Sequence, residues 1–273
     1  MKYSIITVNY NNRDGLRKTI ESVINQTYQG FEYIIIDGGS TDGSVEVIKE
    51  YADRITYWVS ESDKGIYNAM NKGILQAHGE YLNFMNSGDC FHDCGVLDRI
   101  VKQCVADIFV GRVANIGCDG NLVSYNMEAK RISMYHFFIS TLPHQGCFIK
   151  RTLFGNHLYD ESLRIVSDWK FFMECIVFQG CRIIQSDMVI ADCEQRGVSG
   201  MMSELLKEKE LILKSIIPIG VYKDYQSLSQ LGIVAFDELV YIIQYPCLRK
   251  FLCKIMRVII CFHRLFSNRL NHC

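Results

Sequence analysis

The sequence contains few prolines and no segment that would link separate domains. Three of its 273 residues are proline, and it has no Pro/Ser-rich linker, low-complexity tract or internal repeat. The formal net charge of −1 gives no general attraction to nucleic acid, so we expect no nucleic-acid partner. This length and a hydrophobic content of 49% are typical of one large domain, or of one domain with an appendage.

The sequence also lacks the usual signals for export, membrane crossing and zinc binding. The first residues, Met1–Thr7, lead directly into a strand pattern and do not resemble a signal peptide. No apolar run reaches the roughly 18 residues that a transmembrane helix needs. The 12 cysteines have no paired spacing typical of a zinc site, and we interpret them as reduced thiols of a cytosolic protein.

Strand and helix patterns alternate through most of the chain. Apolar, β-branched runs predict strands at 3–9, 31–37, 55–59, 80–85, 107–113, 122–125, 147–150, 182–185 and 188–191. Apolar residues at helical spacing predict a helix ending near 26, one capped at its start by Asp42 or Ser44, and helices at 65–77, 96–104, 167–178 and from 203 onward. The strand Phe31–Asp37 is apolar almost throughout, as expected for a parallel strand buried on both faces. The sequence therefore predicts an α/β fold with a mostly parallel central sheet flanked by helices.

Two acidic residues are predicted at the carboxyl edge of this sheet. Asp37 ends one predicted strand, and Asp89 follows another after the small residues Asn86–Gly88. Ligands of open α/β sheets bind beyond the carboxyl ends of the strands, so the two acids indicate a site for a nucleotide and a metal. A lone carboxylate such as Asp89 can hold Mg²⁺ or Mn²⁺ when water and two phosphates complete the coordination. Alternatively, Asp37 shapes a turn and Asp89 caps the helix that starts near Cys94.

Further polar residues allow both a chemical and a structural interpretation. Asp168, at a predicted helix start, is either a general base or an N-cap that stabilises by about 1 kcal/mol. Asp63 and Lys64 precede a helix whose N-terminus favours an anion, although a solvated ion pair is the commoner role of such neighbours. His144 is a lone loop histidine. The loop after Asp37 lacks the Gly-x-Gly-x-x-Gly spacing, so a dinucleotide site is not supported.

Considered together, residues 3–199 resemble the family 2 glycosyltransferases of the GT-A fold. The resemblance rests on the segments Ser4–Asn11, Ile36–Ser44, Ser62–Gly73, Asn86–Asp89 and Val166–Trp169. The segment Ser62–Gly73 is long and specific, and it closely matches a run of a bacterial surface-polysaccharide subgroup. The resemblance implies a GT-A-type nucleotide-binding domain over 1–202 and a helical C-terminal extension with a basic tail over 203–273.

The resemblance also implies a function and a role for individual residues. The function is inverting transfer of one sugar from a nucleoside-diphosphate sugar, with a UDP-sugar as first choice. The acceptor would be a saccharide or lipid-linked saccharide in bacterial capsule, exopolysaccharide or O-antigen synthesis. Asp168 would be the catalytic base, Asp89 would bind Mg²⁺ or Mn²⁺, and His144 and Gln145 would lie on the acceptor side. The donor would contact Thr7, Val8, Asn9, Tyr10, Asp37, Gly38, Asp63, Lys64, Asn68, Asn71, Ser87 and Gly88.

Two features depart from the family pattern. Gly88 stands where many members carry a second acid, so ribose contacts would fall to Ser87 or to backbone groups. Processive synthases of the family carry a Gln-x-x-Arg-Trp motif and several membrane spans, and Gln195–Gly197 does not match that motif. We therefore expect a transferase that adds a single sugar.

Two other functions are compatible with an α/β nucleotide-binding domain. A nucleotidyltransferase would need a phosphate loop rich in Gly, Arg and Lys near the N-terminus, and Thr7–Asp14 offers Arg13 alone. A scaffold protein could bind sugar nucleotides without activity. The presence of Asp37, Asp89 and Asp168 together favours the enzyme over the scaffold.

The C-terminal tail, residues 247–273, is basic and amphipathic. It contains no Asp or Glu and six basic residues: Arg249, Lys250, Lys254, Arg257, Arg264 and Arg269. At about 100° per residue, the first five fall within an arc of about 140°, opposite an apolar face. This pattern is typical of a helix at a membrane interface, and the alternative is a helix packed on the domain with its basic face in water. Binding to the cytoplasmic face of the inner membrane would suit a lipid-linked acceptor, since anionic lipids attract Lys and Arg.

Overall fold

A nine-stranded sheet with helices on both faces forms the described part of the chain. The computed structural model describes residues 2–103, 105–117, 119–126, 131–155, 157–194 and 202–270, and the segment Gln195–Gly197 lies outside them. The strands are β1 (Tyr3–Asn9), β2 (Phe31–Asp37), β3 (Tyr57–Ser60), β4 (Tyr81–Phe84), β5 (Cys90–Phe91), β6 (Ile108–Ile116), β7 (Leu122–Asn126), β8 (Cys147–Lys150) and β9 (Ile183–Glu194). The α-helices are α1 (Arg13–Ile24), α2 (Ser44–Glu50), α3 (Ile66–Gln76), α4 (Val96–Ile100), α5 (Met134–Ile139), α6 (Ser167–Met173), α7 (Met202–Ile216), α8 (Ile219–Leu228), α9 (Gly232–Gln244) and α10 (Pro246–Leu270).

Most strands of the sheet point the same way. Their order is β3-β2-β1-β4-β8-β6-β9-β5, and β7 lies beside β6. The first four pair in parallel, β8 is antiparallel to both β4 and β6, and β9 is parallel to β6. Strands β1 to β4, β6 and β9 therefore share one direction, while β5, β7 and β8 run against them. This arrangement confirms the predicted α/β fold with a mostly parallel central sheet.

The central strands are buried on both faces because successive side chains alternate between two apolar layers. Ile34 and Ile36 of β2 face the layer that contains α3, α6 and α7. Tyr33 and Ile35 face the layer that contains α1, α2 and α4. The double burial explains why this strand shows no polar alternation in the sequence.

Some element boundaries differ from the prediction where the local period was weak. The helix predicted at 96–104 ends at Ile100. The strands predicted at 182–185 and 188–191 form the single strand β9, whose pairing with β6 shifts register along the way. Strand β5 and helix α5 were not predicted, because two and six residues are too few to display a period.

The helices after residue 202 comprise a packed part and an exposed part. Ile212, Leu213 and Ile217, in and just after α7, are at most 9% exposed and lie in the same apolar layer as α3 and α6. On α10, by contrast, Phe251 is 64% exposed and Ile255 is 40% exposed. Over the described part of the chain, none of the helices has the length and apolar content needed to cross a bilayer.

Candidate active site

Three parallel strands end side by side at one edge of the sheet. Strand β1 ends at Asn9, which pairs in register with Asp37 at the end of β2. Strand β4 leads into the loop that carries Asp89, and the Ser87 N–H of this loop donates to the Val8 carbonyl over 3.1 Å. The structure therefore places Asp37 and Asp89 at the same carboxyl edge.

Asp37 is fully buried and accepts four hydrogen bonds. Its Oδ1 accepts from Asn9 Nδ2 (2.7 Å) and Ser40 Oγ (2.6 Å), and its Oδ2 accepts from Ser40 N (2.9 Å) and Ser60 Oγ (2.6 Å). Burial raises the pKa of the Asp37 carboxyl, but these hydrogen bonds outweigh burial and hold the pKa below its ordinary value. Each carboxylate oxygen has about two acceptor positions, so the four donors fill them. Asp37 is thus an ionised group that fixes the ends of three strands. A nucleobase could hydrogen-bond to its carboxylate only by displacing one of these four donors.

An exposed aromatic ring lies beside a carboxylate at this edge. Tyr10 is 66% exposed. A Cβ added at Gly38 would lie 2.5 Å from Asp63 Oδ2 and 3.2 Å from Tyr10 Cδ2, so the three residues are close neighbours. Asp63 Oδ1 accepts from the N–H of Gly65 over 2.9 Å, and Lys64 is exposed next to it. A flat ring and a nearby acceptor are the groups that hold a nucleobase by stacking and hydrogen bonding.

Thr7 and Val8 do not present their side chains at this edge. The Thr7 hydroxyl donates to the Met85 carbonyl over 2.7 Å and lies 3.0 Å from the Tyr33 hydroxyl. Val8 is 6% exposed and packs in the apolar layer against α3. Both were predicted as donor contacts; their side chains belong to the core, since they lie before the last residue of β1, and their contact with the donor stays a prediction.

Asn68 and Asn71 of α3, also predicted as donor contacts, hydrogen-bond to the segment 159–161. Asn71 is 4% exposed; its Nδ2 donates to the Tyr159 carbonyl and to Glu161 Oε1, and its Oδ1 accepts from Tyr159 N, all over 2.9 Å. Asn68 Nδ2 donates to Glu161 Oε2 over 2.9 Å. These amides therefore fasten the segment 159–161 to α3, and their contact with the donor stays a prediction.

Asp168 is held from several directions at the start of α6. Its Oδ1 accepts from the Tyr67 hydroxyl (2.8 Å) and from the N–H of Trp169 (2.9 Å). Its Oδ2 lies 3.0 Å from His144 Nδ1, and the His144 and Asp168 side chains are 17% and 15% exposed. The residue that precedes the helix is Val166, so Asp168 is not the N-cap. Tyr67 was missed at the sequence level because its position on α3 fits a core residue equally well.

The two members of the His144–Asp168 pair shift each other's pKa. Burial raises the pKa of the Asp168 carboxyl, but the hydrogen bond and charge of His144 outweigh burial and lower it. Burial lowers the pKa of the His144 imidazole, but the hydrogen bond and charge of Asp168 outweigh burial and raise it. The pair therefore favours an imidazolium beside a carboxylate.

Asp89 is a partly buried carboxylate that suits a hard divalent ion. Its Oδ2 accepts from Gln145 Nε2 over 3.0 Å, and the Cys193 thiol also donates to it. Burial raises the pKa of this carboxyl. Within the described residues no three His, Cys, Asp or Glu side chains gather closely enough to hold a metal by themselves. Asp89 does not cap α4 either, since Gly95 is the residue before this helix and the N–H of Leu97 in its first turn donates to Gln26 Oε1 over 3.1 Å.

Gly88 adopts a backbone conformation that accounts for the missing second acid. Its φ is +104°, in the left-handed region that glycine favours over residues with a side chain. The Gly88 N–H donates to Thr19 Oγ1 over 2.9 Å, and Asn12 Nδ2 donates to the Ser87 carbonyl over 3.0 Å. An acid at position 88 would be strained, and the loop is instead fixed by hydrogen bonds to α1 and the residue before it.

The consecutive residues His144 and Gln145 connect the two candidate acids. His144 pairs with Asp168, and Gln145 pairs with Asp89. The second ring nitrogen of His144, Nε2, lies 3.2 Å from Nδ2 of Asn86 in the loop after β4. The structure thus brings the predicted base, the predicted metal ligand and both predicted acceptor-side residues into one cluster.

Helix α7 supports the segment that leads to Asp168. The Glu208 carboxylate accepts from the backbone N–H groups of Arg164 (2.8 Å) and Ile165 (2.9 Å). Lys209 Nζ donates to the Ser140 carbonyl over 2.8 Å, a few residues before His144. These contacts were not predicted, because they join positions more than forty residues apart.

The amino-acid sequence matches a protein family and a bacterial relative. The model of glycosyl transferase family 2 matches residues 4–161. An uncharacterized glycosyltransferase of Mycobacterium tuberculosis is 32% identical over 206 residues, which cover 71% of this chain and 76% of that protein. More than half of the chain is thus covered by the family model.

The fold matches solved structures at low sequence identity. S. aureus TarS 1–349 in complex with UDP-GlcNAc has a TM-score of 0.61 and 18% identity, over 82% of this chain and 70% of that one. In a second TarS structure, the chain covers 42% of the TarS chain. The mannosyltransferase PcManGT of Pyrobaculum calidifontis, in complex with GDP-Man and Mn²⁺, has a TM-score of 0.57 and 15% identity, over 92% of this chain and 82% of that one. The likeness establishes the GT-A-type fold.

Proposed function

Because the chain belongs to glycosyl transferase family 2 and has the GT-A fold, we propose that it transfers a single sugar from a nucleoside-diphosphate sugar to an acceptor hydroxyl with inversion. One observation carries this proposal. The dipeptide His144–Gln145 pairs with Asp168 on one side and with Asp89 on the other. A base for the acceptor and a metal ligand for the diphosphate would then stand at adjacent positions of one site.

The donor side of the proposal uses the residues at the ends of β1 and β2. Tyr10 would stack on the nucleobase of the donor, and Asp63, which lies beside Gly38, would accept a hydrogen bond from that nucleobase. Structural neighbours bind UDP-GlcNAc or GDP-Man, which supports a nucleoside-diphosphate sugar as the donor class. A UDP-sugar is our first choice for this chain.

The acceptor side of the proposal centres on Asp168. Asp168 would remove the proton of the acceptor hydroxyl. The acceptor oxygen would attack the anomeric carbon from the face opposite the diphosphate, and the bond between that carbon and the phosphate oxygen would break, its electrons leaving with the nucleoside diphosphate. The lowered pKa of the Asp168 carboxyl keeps it ionised at neutral pH, so each cycle would begin with the base in its active form. One displacement inverts the anomeric configuration.

Asp89 would hold Mg²⁺ or Mn²⁺. The residues fit such an ion, because a carboxylate oxygen is a ligand that both ions prefer and phosphates and water commonly supply the others. When bound, the ion would neutralise charge that develops on the departing diphosphate. Gln145 would orient the Asp89 carboxylate through its amide N–H.

Binding of the donor tests this proposal. In a thermal-unfolding panel of UDP-, GDP- and dTDP-sugars with Mn²⁺, one sugar nucleotide should stabilise the protein, by about 2.7 kcal/mol at 100 times its Kd. Asp89→Ala should lose the Mn²⁺-dependent part of this stabilisation. The matched control is Asp93→Asn, which removes a nearby carboxylate that pairs with Arg99 on the surface. Stabilisation by none of the sugar nucleotides, or equal stabilisation of wild type and Asp89→Ala, would contradict the proposed donor site.

We propose in addition that α10 binds the anionic surface of the inner membrane from the cytoplasmic side. Its basic residues Arg249, Lys250, Lys254 and Arg257 are exposed, and so are apolar residues between them such as Phe251. An apolar face open to solvent beside a basic face is complementary to anionic lipid, which can cover the first and attract the second. This placement would bring the site to a lipid-linked saccharide acceptor, as used in building bacterial surface polysaccharides.

A further inference from the structure

We propose that His144 is a positioning residue for Asp168 rather than a group that recognises the acceptor. This inference rests on the proposed function, because it takes Asp168 as the base. It differs from the expectation drawn from the family resemblance, which placed His144 among the acceptor contacts. The contacts of the imidazole ring and of the Asp168 carboxylate carry the argument.

Both ring nitrogens of His144 already have protein partners. Nδ1 lies 3.0 Å from Asp168 Oδ2, and Nε2 lies 3.2 Å from Asn86 Nδ2. The side chain is 17% exposed. An acceptor hydroxyl therefore finds no nitrogen of this ring that is open to it, and recognition through His144 would first require one of these contacts to break.

The contacts of Asp168 identify which of its oxygens is able to act as the base. Oδ1 accepts from the N–H of Trp169 and lies 2.8 Å from the Tyr67 hydroxyl, whose single proton is shared between Oδ1 and the Ile165 carbonyl at 2.6 Å, so these two groups occupy both acceptor positions of Oδ1. Among the described residues, His144 is the hydrogen-bond partner of Oδ2, which leaves this oxygen one acceptor position. We therefore assign Oδ2 as the atom that takes the acceptor proton. His144 fixes the direction of the remaining position, since its own hydrogen bond occupies the other one.

Asn86 allows His144 to remain in place in either protonation state. With neutral His144, Nδ1–H donates to Asp168 and Nε2 accepts from the Asn86 amide N–H. With the imidazolium, Nε2–H needs an acceptor, and the buried Asn86 Oδ1 has no partner in the present orientation. A half-turn of the amide exchanges the two atoms and supplies that acceptor. The ring is therefore anchored to the loop after β4 whether or not it carries the charge.

Other titratable groups surround the His144–Asp168 pair. Burial raises the pKa of the hydroxyls of Tyr67 and Tyr159 and of the Cys147 thiol, so these groups stay neutral. Asp89 contributes a negative charge that favours the imidazolium. Lys209 Nζ lies 4.8 Å from the centroid of the Trp169 ring, and burial lowers the pKa of this amine to about 8. Because Lys209 titrates on the alkaline side, the acid limb of the kcat/KM profile against pH reports on the His144–Asp168 pair without interference from Lys209.

Steady-state kinetics of two variants test the proposal. In His144→Ala, kcat should fall about 100-fold, the loss expected when a reacting group is misplaced by about 1 Å, while the KM for the acceptor and the Kd for the donor stay unchanged. In His144→Asn, the amide N–H replaces the Nδ1 donor without the charge, so kcat should recover to within about tenfold of wild type. The Tm of each variant is measured as well. If His144→Ala does not fold, the kinetics of His144→Asn alone test the proposal.

The pH profile separates positioning of the base from a purely structural role. Asp168 must be ionised to act, so kcat/KM rises as pH passes the pKa of its carboxyl. Loss of the imidazolium charge in His144→Asn removes one of the effects that lower this pKa, while the hydrogen bonds from Tyr67 and Trp169 remain and burial continues to raise it. The acid limb of the profile should therefore move to higher pH. The control His92→Ala removes a surface pair, in which Nδ1 lies 2.7 Å from Asp192 Oδ1, and should leave the profile unchanged.

Each contrary result is specific. A rise of tenfold or more in the KM for the acceptor with unchanged kcat would make His144 a recognition group and overturn the proposal. Unchanged kcat and an unmoved acid limb in both variants would overturn it as well. Failure of the proposed function looks different, because the wild-type chain would then transfer no sugar, or Asp168→Asn would retain full activity.

Discussion

Replacing Asp168 by Asn should lower the rate of sugar transfer by about 10³-fold and leave binding of the sugar nucleotide intact. A general base contributes about 10² to 10⁴ in rate, and an amide cannot take the acceptor proton. The amide keeps the size of the carboxylate, and its oxygen can still accept from the Tyr67 hydroxyl and the N–H of Trp169. The substitution should therefore lower kcat and leave the Kd for the sugar nucleotide unchanged. Release of nucleoside diphosphate in the presence of acceptor, together with calorimetric titration of the donor, measures the two effects.

The neighbouring Asp160 provides the matched control for this variant. Its Oδ2 lies 2.8 Å from Lys170 Nζ on the same helix that carries Asp168, and its side chain is 34% exposed. Asp160→Asn removes a carboxylate and an ion pair from the same region without touching His144. It should keep near-normal transfer. Equal activity of wild type and Asp168→Asn would remove Asp168 from the chemistry.

A chain ending at residue 201 should fail to fold, whereas a chain ending at residue 245 should fold normally and lose membrane binding. The shorter chain lacks Ile212, Leu213 and Ile217, which are buried in the core. Burial of such side chains contributes roughly 1.5–3 kcal/mol each, against a total stability of about 5–15 kcal/mol for a typical domain. It also lacks Glu208, which holds the backbone ahead of Asp168. Thermal unfolding of both chains measures this difference.

The chain ending at residue 245 isolates the contribution of α10. It retains α7 to α9 and removes a helix whose described side chains are mostly exposed, so its Tm should stay within a few degrees of the full chain. Each of the four exposed basic residues near an anionic surface contributes about 1 kcal/mol, and the attraction weakens as salt screens it. Co-sedimentation with vesicles containing phosphatidylglycerol should therefore be strong and salt-sensitive for the full chain and absent for the shorter one. Equal co-sedimentation of both chains would exclude α10 as the membrane contact, and a folded, active chain ending at 201 would exclude the support assigned to α7.

The sequence predicted those parts of the fold that depend on a local period. Strands β1 and β2 were predicted to the residue, because continuous apolar runs bounded by turn residues mark buried parallel strands. The carboxyl-edge position of Asp37 and Asp89 followed from the same pattern. Strand β5 and helix α5 were missed, since neither is long enough to repeat a period.

The partners of the site residues could not be predicted in the same way. Tyr67 and Asp168 are 101 positions apart, and Asn86 and His144 are 58 positions apart, so no spacing rule connects them. The directions of individual side chains could not be predicted either. Thr7 and Asn71 lie inside specific family motifs, but membership of a motif does not tell which way a side chain points. In the folded chain, one hydroxyl and one amide are used to hold the core and a neighbouring segment.

The anomeric configuration of the first product tests the central claim most directly. With the sugar nucleotide that stabilises the protein and a suitable acceptor, the proton coupling constant at the anomeric carbon of the product reports whether the configuration has changed. A single displacement with Asp168 as the base predicts a configuration opposite to that of the donor. A product that keeps the configuration of the donor would contradict this account, because it would require two displacements or attack from the same face as the leaving diphosphate.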